Sequence, residues 1–236
     1  MGREKIFRFK RFAVVNDRTA MKVGTDGVLL GAWCPVCGAQ RVLDVGTGCG
    51  VIALMVAQRN EHALIKGIDI DPGAIEEAAL NFANSPWSDR LTAQLQDFNK
   101  LGSRESYNLI VSNPPYFTDS LLPPDAARTL ARHTATLSYR QLIEGAAQRL
   151  TDDGSLALIS PTEAEGTIIE AATFASLPVC CLTRIIPVEG GAAKRILWLL
   201  SRHDIPYHEN TLTIAHNDGA FTSEYVSLTG DFYLKM

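Results

Sequence analysis

Arg41-Val42-Leu43-Asp44-Val45-Gly46-Thr47-Gly48-Cys49-Gly50-Val51-Ile52 is the stretch on which the fold turns. The mostly apolar run Arg41–Val45 reads as a buried parallel strand. Residues 51–59 then carry Ile52, Met55 and Val56 at helical spacing. Between strand and helix, three glycines at spacing two let the backbone turn sharply and approach a ligand that a Cβ would exclude. The helix start offers free N–H groups to an anionic group. The spacing is GxGxG, not the dinucleotide GxGxxG, and no Lys-Ser/Thr follows as in a P-loop.

Working outward, the same strand-then-helix rhythm recurs. Further strands are expected over residues 64–70, 92–96, 107–111, 155–159, 179–188 and 195–201, and helices over 72–84, 139–150 and 163–175. Asp71 caps the first of these helices and Pro72 occupies its first turn. Upstream, residues 6–15 alternate enough for a short strand pair, and residues 21–27 turn into a helix reaching about Trp33, with Thr25 or Asp26 as N-cap. No repeat, linker or low-complexity segment interrupts the pattern. It predicts one α/β domain over residues 1–236, a doubly wound, mostly parallel, seven-stranded Rossmann-like sheet with residues 1–33 as an N-terminal strand/helix extension packed on it.

Composition excludes several classes. With 236 residues, 46% hydrophobic and 20% charged, the chain reads as globular, and no apolar run reaches membrane-spanning length. The basic N-terminus has no apolar segment behind it that would make a secretory signal, so a cytoplasmic location is expected. Five cysteines are too few and odd in number for a disulfide framework. Trp33-Cys34-Pro35-Val36-Cys37 imitates a redox motif, yet it closes a helical pattern and precedes a strand, the reverse of the thioredoxin arrangement. Cys180-Cys181 has the wrong spacing to complete a zinc site, so no metal is expected. Charge is uneven: residues 1–22 hold seven basic and two acidic side chains, a net of +5 against −4 for the whole chain. A basic arm interleaved with Phe7, Phe9 and Phe12 suits a nucleic-acid binder with an acidic body. It also suits a solvated hairpin edge whose aromatics pack inward.

The second chemical stretch is Val111-Ser112-Asn113-Pro114-Pro115-Tyr116-Phe117, at the end of an apolar strand and so at the carboxyl edge, where open α/β folds bind ligands. Two prolines remove two N–H groups and stiffen the turn, leaving carbonyls without internal partners. Asn113, the Pro114 carbonyl and Tyr116 together suit a flat group bearing an NH2, with two acceptors and a stacking face. A rigid turn with a capping Asn and a packed Tyr is the simpler alternative. Asp44, Asp69 and Asp97 end three successive strands: one placed for a ligand ammonium, one for ribose hydroxyls, one for an adenine amine. Each alone would be an ordinary turn residue. Together with the glycine loop they point to S-adenosyl-L-methionine.

Glycine loop, Asp69, Asp97 and Asn-Pro-Pro-Tyr, in this order, resemble a class I amino-methyltransferase. From Phe7 to Tyr233 the chain is similar to the bacterial tRNA1(Val) adenine-37 N6-methyltransferase family, with residues 21–30 (MKVGTDGVLL), Ser112-Asn113-Pro114-Pro115-Tyr116 and the ending Asp231-Phe232-Tyr233-Leu234 as markers. Cys49 departs from the serine common in related loops. The resemblance implies S-adenosyl-L-methionine bound by Asp44, Gly46, Thr47, Gly48, Gly50, Asp69, Ile70, Asp97, Phe98 and Asn113, with Asn113, Pro114, Pro115 and Tyr116 at the chemistry. It implies a tRNA anticodon loop as substrate, and Arg8, Lys10, Arg11, Arg128 and Arg132 are the expected RNA contacts. No membrane and no obligatory protein partner are expected. Methylation of a protein glutamine, or of another RNA or DNA amino group, is the competing enzyme reading; a non-catalytic RNA-binding module on the same scaffold is the competing non-enzyme reading. Intact Asn113 and Gly46, Gly48 and Gly50 argue against the last.

Overall fold

The computed structural model describes residues 6–19, 22–102, 105–115, 137–203 and 205–235. The expected alternation of strands and helices is present. Strand β3 (Arg41–Val45) leads to helix α2 (Val51–Arg59), β4 (Leu64–Asp69) to α3 (Pro72–Ala83), and β5 (Leu91–Leu95) to β6 (Tyr107–Ser112). Helix α4 (Tyr139–Ala147), β7 (Leu150–Pro161), α5 (Glu165–Phe174), β8 (Val179–Val188) and β9 (Arg195–Ser201) follow. Ahead of them lie the hairpin β1 (Ile6–Arg8) with β2 (Ala13–Val15) and helix α1 (Thr25–Trp33).

Among the described residues, one sheet has eight strands, not seven. The extra strand is β10 (His208–Ala215), followed by helix α6 (Ser223–Thr229), and the order is β10-β8-β9-β7-β6-β3-β4-β5. Strand β10 sits at the edge with only Leu212 buried, so its sequence lacks the apolar run by which the other strands are legible. Pairing is parallel except where β9 runs antiparallel between β7 and β8. The order reverses between β3 and β6, because β4 and β5 continue to one side and β6 and β7 to the other.

Successive strand residues point to opposite faces, and both faces are covered. Val42, Leu109, Val111 and Ile159 face α1, α2 and the N-terminal hairpin; Leu43, Ile110, Leu158 and Trp198 face α4 and α5. The long central strands are therefore apolar throughout. Helix α3 begins as expected, with the Asp71 carboxylate accepting from the Gly73 N–H at 2.8 Å. Helix α1 does not: its N-cap is Gly24, without a side-chain bond, while Thr25 is already helical and Asp26 pairs with Arg195 at 2.9 Å. Helix α4 stops at Ala147, short of the expected residue 150, because Leu150 already begins β7.

The N-terminal hairpin is held by aromatic packing. Phe9 stacks on Phe12 with ring centroids 4.5 Å apart, both buried, and Phe9 pairs with Tyr233 near the other end of the chain. Among the described residues, no helix is long and apolar enough to cross a membrane.

Ile110 is fully buried at the centre of β6. Replacing it with alanine should lower stability by about 2–5 kcal/mol through lost burial and the cavity left behind. Urea unfolding should show a lower midpoint with an unchanged m-value.

Candidate functional site

The strand order reverses between β3 and β6, and doubly wound folds bind ligands in the crevice at the carboxyl edge of such a switch point. A buried hydrogen bond joins the two strand tips: Ser112 Oγ donates to the Val45 carbonyl at 2.8 Å. It sets the residue before the glycine loop and the residue before Asn113 side by side. Asn113 is half-buried, Pro114 buried and Pro115 exposed.

The loop needs its glycines for two different reasons. Gly46, Gly48 and Gly50 have φ of +71°, +55° and +83°, a left-handed conformation that costs other residues energy. Gly50 is also sterically constrained, since a Cβ there would collide with the Phe82 ring. The Gly46 and Thr47 amides both donate to the Ile68 carbonyl, at 2.9 and 3.0 Å, so the loop leans over the tip of β4. Such closeness demands a further glycine that the motif does not include: a Cβ on Gly67 would lie 2.6 Å from Thr47 Oγ1. A lone glycine inside a strand was the available signal.

The acidic strand tips differ in state. Asp69 is braced at both oxygens, accepting from Gly48 N–H and from Asp71 N–H, each at 3.0 Å. A carboxylate has about four acceptor sites, so it keeps capacity for ligand hydroxyls. Ile70 beside it is exposed. Asp97 caps a short turn through Asn99 N–H at 2.9 Å, with Lys100 Nζ 3.7 Å away. The Phe98 ring is buried, packed beneath Gly145 and under the Arg149 guanidinium, so only its backbone is left for a ligand.

Asp44 is the anomaly. It is fully buried; Oδ2 accepts from the Thr47 hydroxyl at 2.7 Å, and Oδ1 has no hydrogen-bond partner. Burial pushes its pKa up to about 7, against the Thr47 hydroxyl and the Ala53 amide, which lower it; Asp69 adds repulsion. A buried acceptor lacking a donor is what a ligand ammonium would satisfy. The residues present therefore fit S-adenosyl-L-methionine.

Several expected residues are not brought to this crevice. Lys10 and Arg11 line a hollow with Val36, Gln58, Arg59 and Asp231, at the carboxyl end of α2 and so at the opposite edge of the sheet. Lys10 Nζ donates to the Gly230 carbonyl at 2.6 Å, and Arg11 lies over the Trp87 ring. Arg8 is exposed on β1. Tyr116, Arg128 and Arg132 lie outside the described residues. Cys34 and Cys49 are buried thiols whose pKa values rise, to about 11 and about 12, by desolvation. Neither is a nucleophile at neutral pH.

A doubly wound sheet with a glycine loop at its switch point and acids at successive strand tips defines a class I methyltransferase fold. The family model described as the methyltransferase small domain matches residues 27–181. A predicted O-methyltransferase from Agrobacterium tumefaciens superposes with a TM-score of 0.69 at 21% identity, over 88% of this chain and 96% of that one. The chain belongs to the tRNA1(Val) (adenine(37)-N6)-methyltransferase family. It is 44% identical to the family member from Phocaeicola vulgatus over 230 residues, 98% of each chain. It is 43% identical to that from Aeromonas salmonicida over 240 residues, covering both chains completely.

The pH dependence of stability tests the Asp44 environment. Its folded pKa lies above the ordinary value of 3.8, so between about 4 and 7 the folded state holds a proton that the unfolded state has released. Stability from this group therefore falls as pH rises through that window and is level outside it. Asp44→Asn in the ligand-free protein should remove that fall and be more stable at pH 8 by on the order of 1–4 kcal/mol. Superimposable wild-type and variant profiles would refute the raised pKa.

Proposed function

We propose that this protein transfers a methyl group from S-adenosyl-L-methionine to the exocyclic N6 of adenine 37 in the anticodon loop of tRNA1(Val), in the cytoplasm and with no obligatory protein partner. The observation that carries the reading is the juxtaposition at the switch point. Asn113-Pro114-Pro115 adjoins a glycine loop whose Asp44 keeps an unsatisfied buried oxygen. The full-length relatives named for this activity support the choice of substrate.

Bound S-adenosyl-L-methionine supplies a methyl group already activated on a sulfonium. Asp44 receives its ammonium, the glycine loop its amino-acid end, Asp69 its ribose hydroxyls, and the Asp97-Phe98 turn its adenine. The Asn113 side-chain oxygen and the Pro114 carbonyl accept the two N–H bonds of the target amine. That favours a pyramidal nitrogen whose lone pair faces the methyl. The cofactor would supply the methyl and keep the S–C bonding pair on sulfur, while Asn113 and Pro114 would hold the amine as its new N–C bond forms and its surplus proton leaves to solvent. Tyr116 is assigned the stacking face from the sequence alone. The target base must leave its stack to reach this slot, which a loop nucleotide does at modest cost.

The basic arm receives a different role from the one its motif suggested. Lys10, Arg11 and Arg59 lie about one strand length from the crevice, roughly 17 Å for five residues. They serve as phosphate contacts for the RNA flanking the target loop, not as a rim around the base; Arg128 and Arg132 follow Asn-Pro-Pro-Tyr in sequence and are assigned the rim.

Asn113→Ala should slow single-turnover methyl transfer by about 100-fold or more, while S-adenosyl-L-methionine affinity by calorimetry stays near wild type, because the lost acceptor acts on the reacting amine. A rate close to wild type would sink the mechanism.

Replacing Arg8, Lys10 and Arg11 together with alanine should weaken tRNA binding. The salt dependence should flatten by about 0.7 log units per log salt for each single-strand phosphate no longer neutralised. Cofactor affinity should not change. Wild-type tRNA affinity and salt slope would show the arm to be a packed edge only.

A further inference from the structure

Two buried polar side chains on α3 have no part in the chemistry above. Glu77 and Asn81 stand four residues apart on one face of the helix, each 2% exposed. The Glu77 oxygens accept the backbone N–H groups of Asp17 (2.9 Å), Arg18 (2.6 Å) and Thr19 (3.3 Å). The Asn81 oxygen accepts from Val15 N–H at 2.8 Å, and its nitrogen donates to the Val15 carbonyl at 2.9 Å. The same nitrogen donates to the carbonyl of Cys49, at 2.8 Å, inside the glycine loop. One amide therefore joins the N-terminal segment to the loop, one residue before Gly50.

This segment and helix α1 each pack against the first turn of a helix that leaves a strand tip of the site. Arg18 lies against the first turn of α3, where a Cβ on Gly73 would be 4.0 Å from its own Cβ, just beyond Asp69. Further along the chain, Gly27 of α1 lies against the first turn of α2, where its Cβ would be 3.5 Å from Val51 Cγ1, just beyond Gly50. Apolar contact would hold such a segment at less cost than a buried carboxylate, for which no lysine or arginine among the described residues forms an ion pair. Three amides aimed at one carboxylate instead impose direction and register on the backbone.

We propose that Glu77 and Asn81 are positioning residues for S-adenosyl-L-methionine: they lock residues 15–19 and the glycine loop into one unit and so set cofactor affinity without touching the cofactor. The inference rests on the cofactor reading above. It predicts that the loop is ordered for binding only when the segment is docked on α3.

The test uses the full-length protein with two isosteric variants. Glu77→Gln turns one acceptor toward the amides into a donor, and Asn81→Asp removes the donors to Val15 and Cys49. Each should raise the Kd and KM for S-adenosyl-L-methionine by about 10-fold or more, with kcat and the KM for tRNA within about twofold of wild type. Glu77→Asp, which keeps the charge, should recover part of the loss. Reduced thermal stability with unchanged Kd and KM for the cofactor, measured well below the melting transition, overturns the proposal. If the variants do not fold, hydrogen exchange on the wild type decides. Adding S-adenosyl-L-methionine should slow exchange of the Val15, Asp17, Arg18 and Thr19 amides by about 10-fold or more, and unchanged protection there overturns it. A wild-type protein that binds no S-adenosyl-L-methionine removes the cofactor reading itself and the clamp with it, an outcome seen before any variant is made.

Discussion

The parallel pairing of β3 with β6 is the constraint on which the rest of the molecule depends. It places Val42 opposite Leu109 and Val45 opposite Ser112, so the two strands end level with each other. The Ser112 hydroxyl then closes the tips against the Val45 carbonyl. The sheet order reverses at this pair, the kind of switch point at which doubly wound folds bind ligands. A slip of one residue would turn every apolar side chain of β6 to the other face. It would also separate Asn113 from the glycine loop. The core and the site are thus specified by one register.

Polar burial around the site follows a consistent physical logic. Asp69 and Glu77 are each braced by backbone N–H groups, and these charge-assisted bonds fix loops whose own sequences are short and polar. Asp44 is the exception: one oxygen is bonded to Thr47 and the other is not bonded at all. An orphaned buried acceptor is destabilising by itself and retains its full interaction for a ligand donor. The protein holds local instability at the place where a cationic group would relieve it.

The N-terminal hairpin meets residues 231–233 on the helical face that carries α1 and α2. Phe9 pairs with Tyr233, the Lys10 amide donates to the Phe232 carbonyl at 2.8 Å, and Gln58 of α2 donates to the Asp231 carbonyl at 3.1 Å. The same aromatic cluster that anchors the hairpin leaves its cations at the sheet's amino edge, in a hollow shared with Arg59. Hairpin packing and a phosphate-binding role are therefore compatible, because Phe9 and Phe12 face inward while Lys10 and Arg11 line the surface hollow.

Local pattern alone determined the α/β alternation, the doubly wound fold, and helices α2 and α3 nearly to the residue. These rest on periodicity, capping and turn preferences, which act over a few residues. Tertiary structure decided what depends on partners far apart in the chain. Strand β10 was missed because an edge strand buries one side chain and shows no apolar run. Gly67 acquired its role only when Thr47 was folded over it, 20 residues away. Glu77 and Asn81 read as ordinary helical residues until the segment about 60 positions upstream was laid against them. The basic arm was legible as charge but not as position, since its place at the sheet edge opposite Asn113 follows from aromatic contacts with the last residues of the chain.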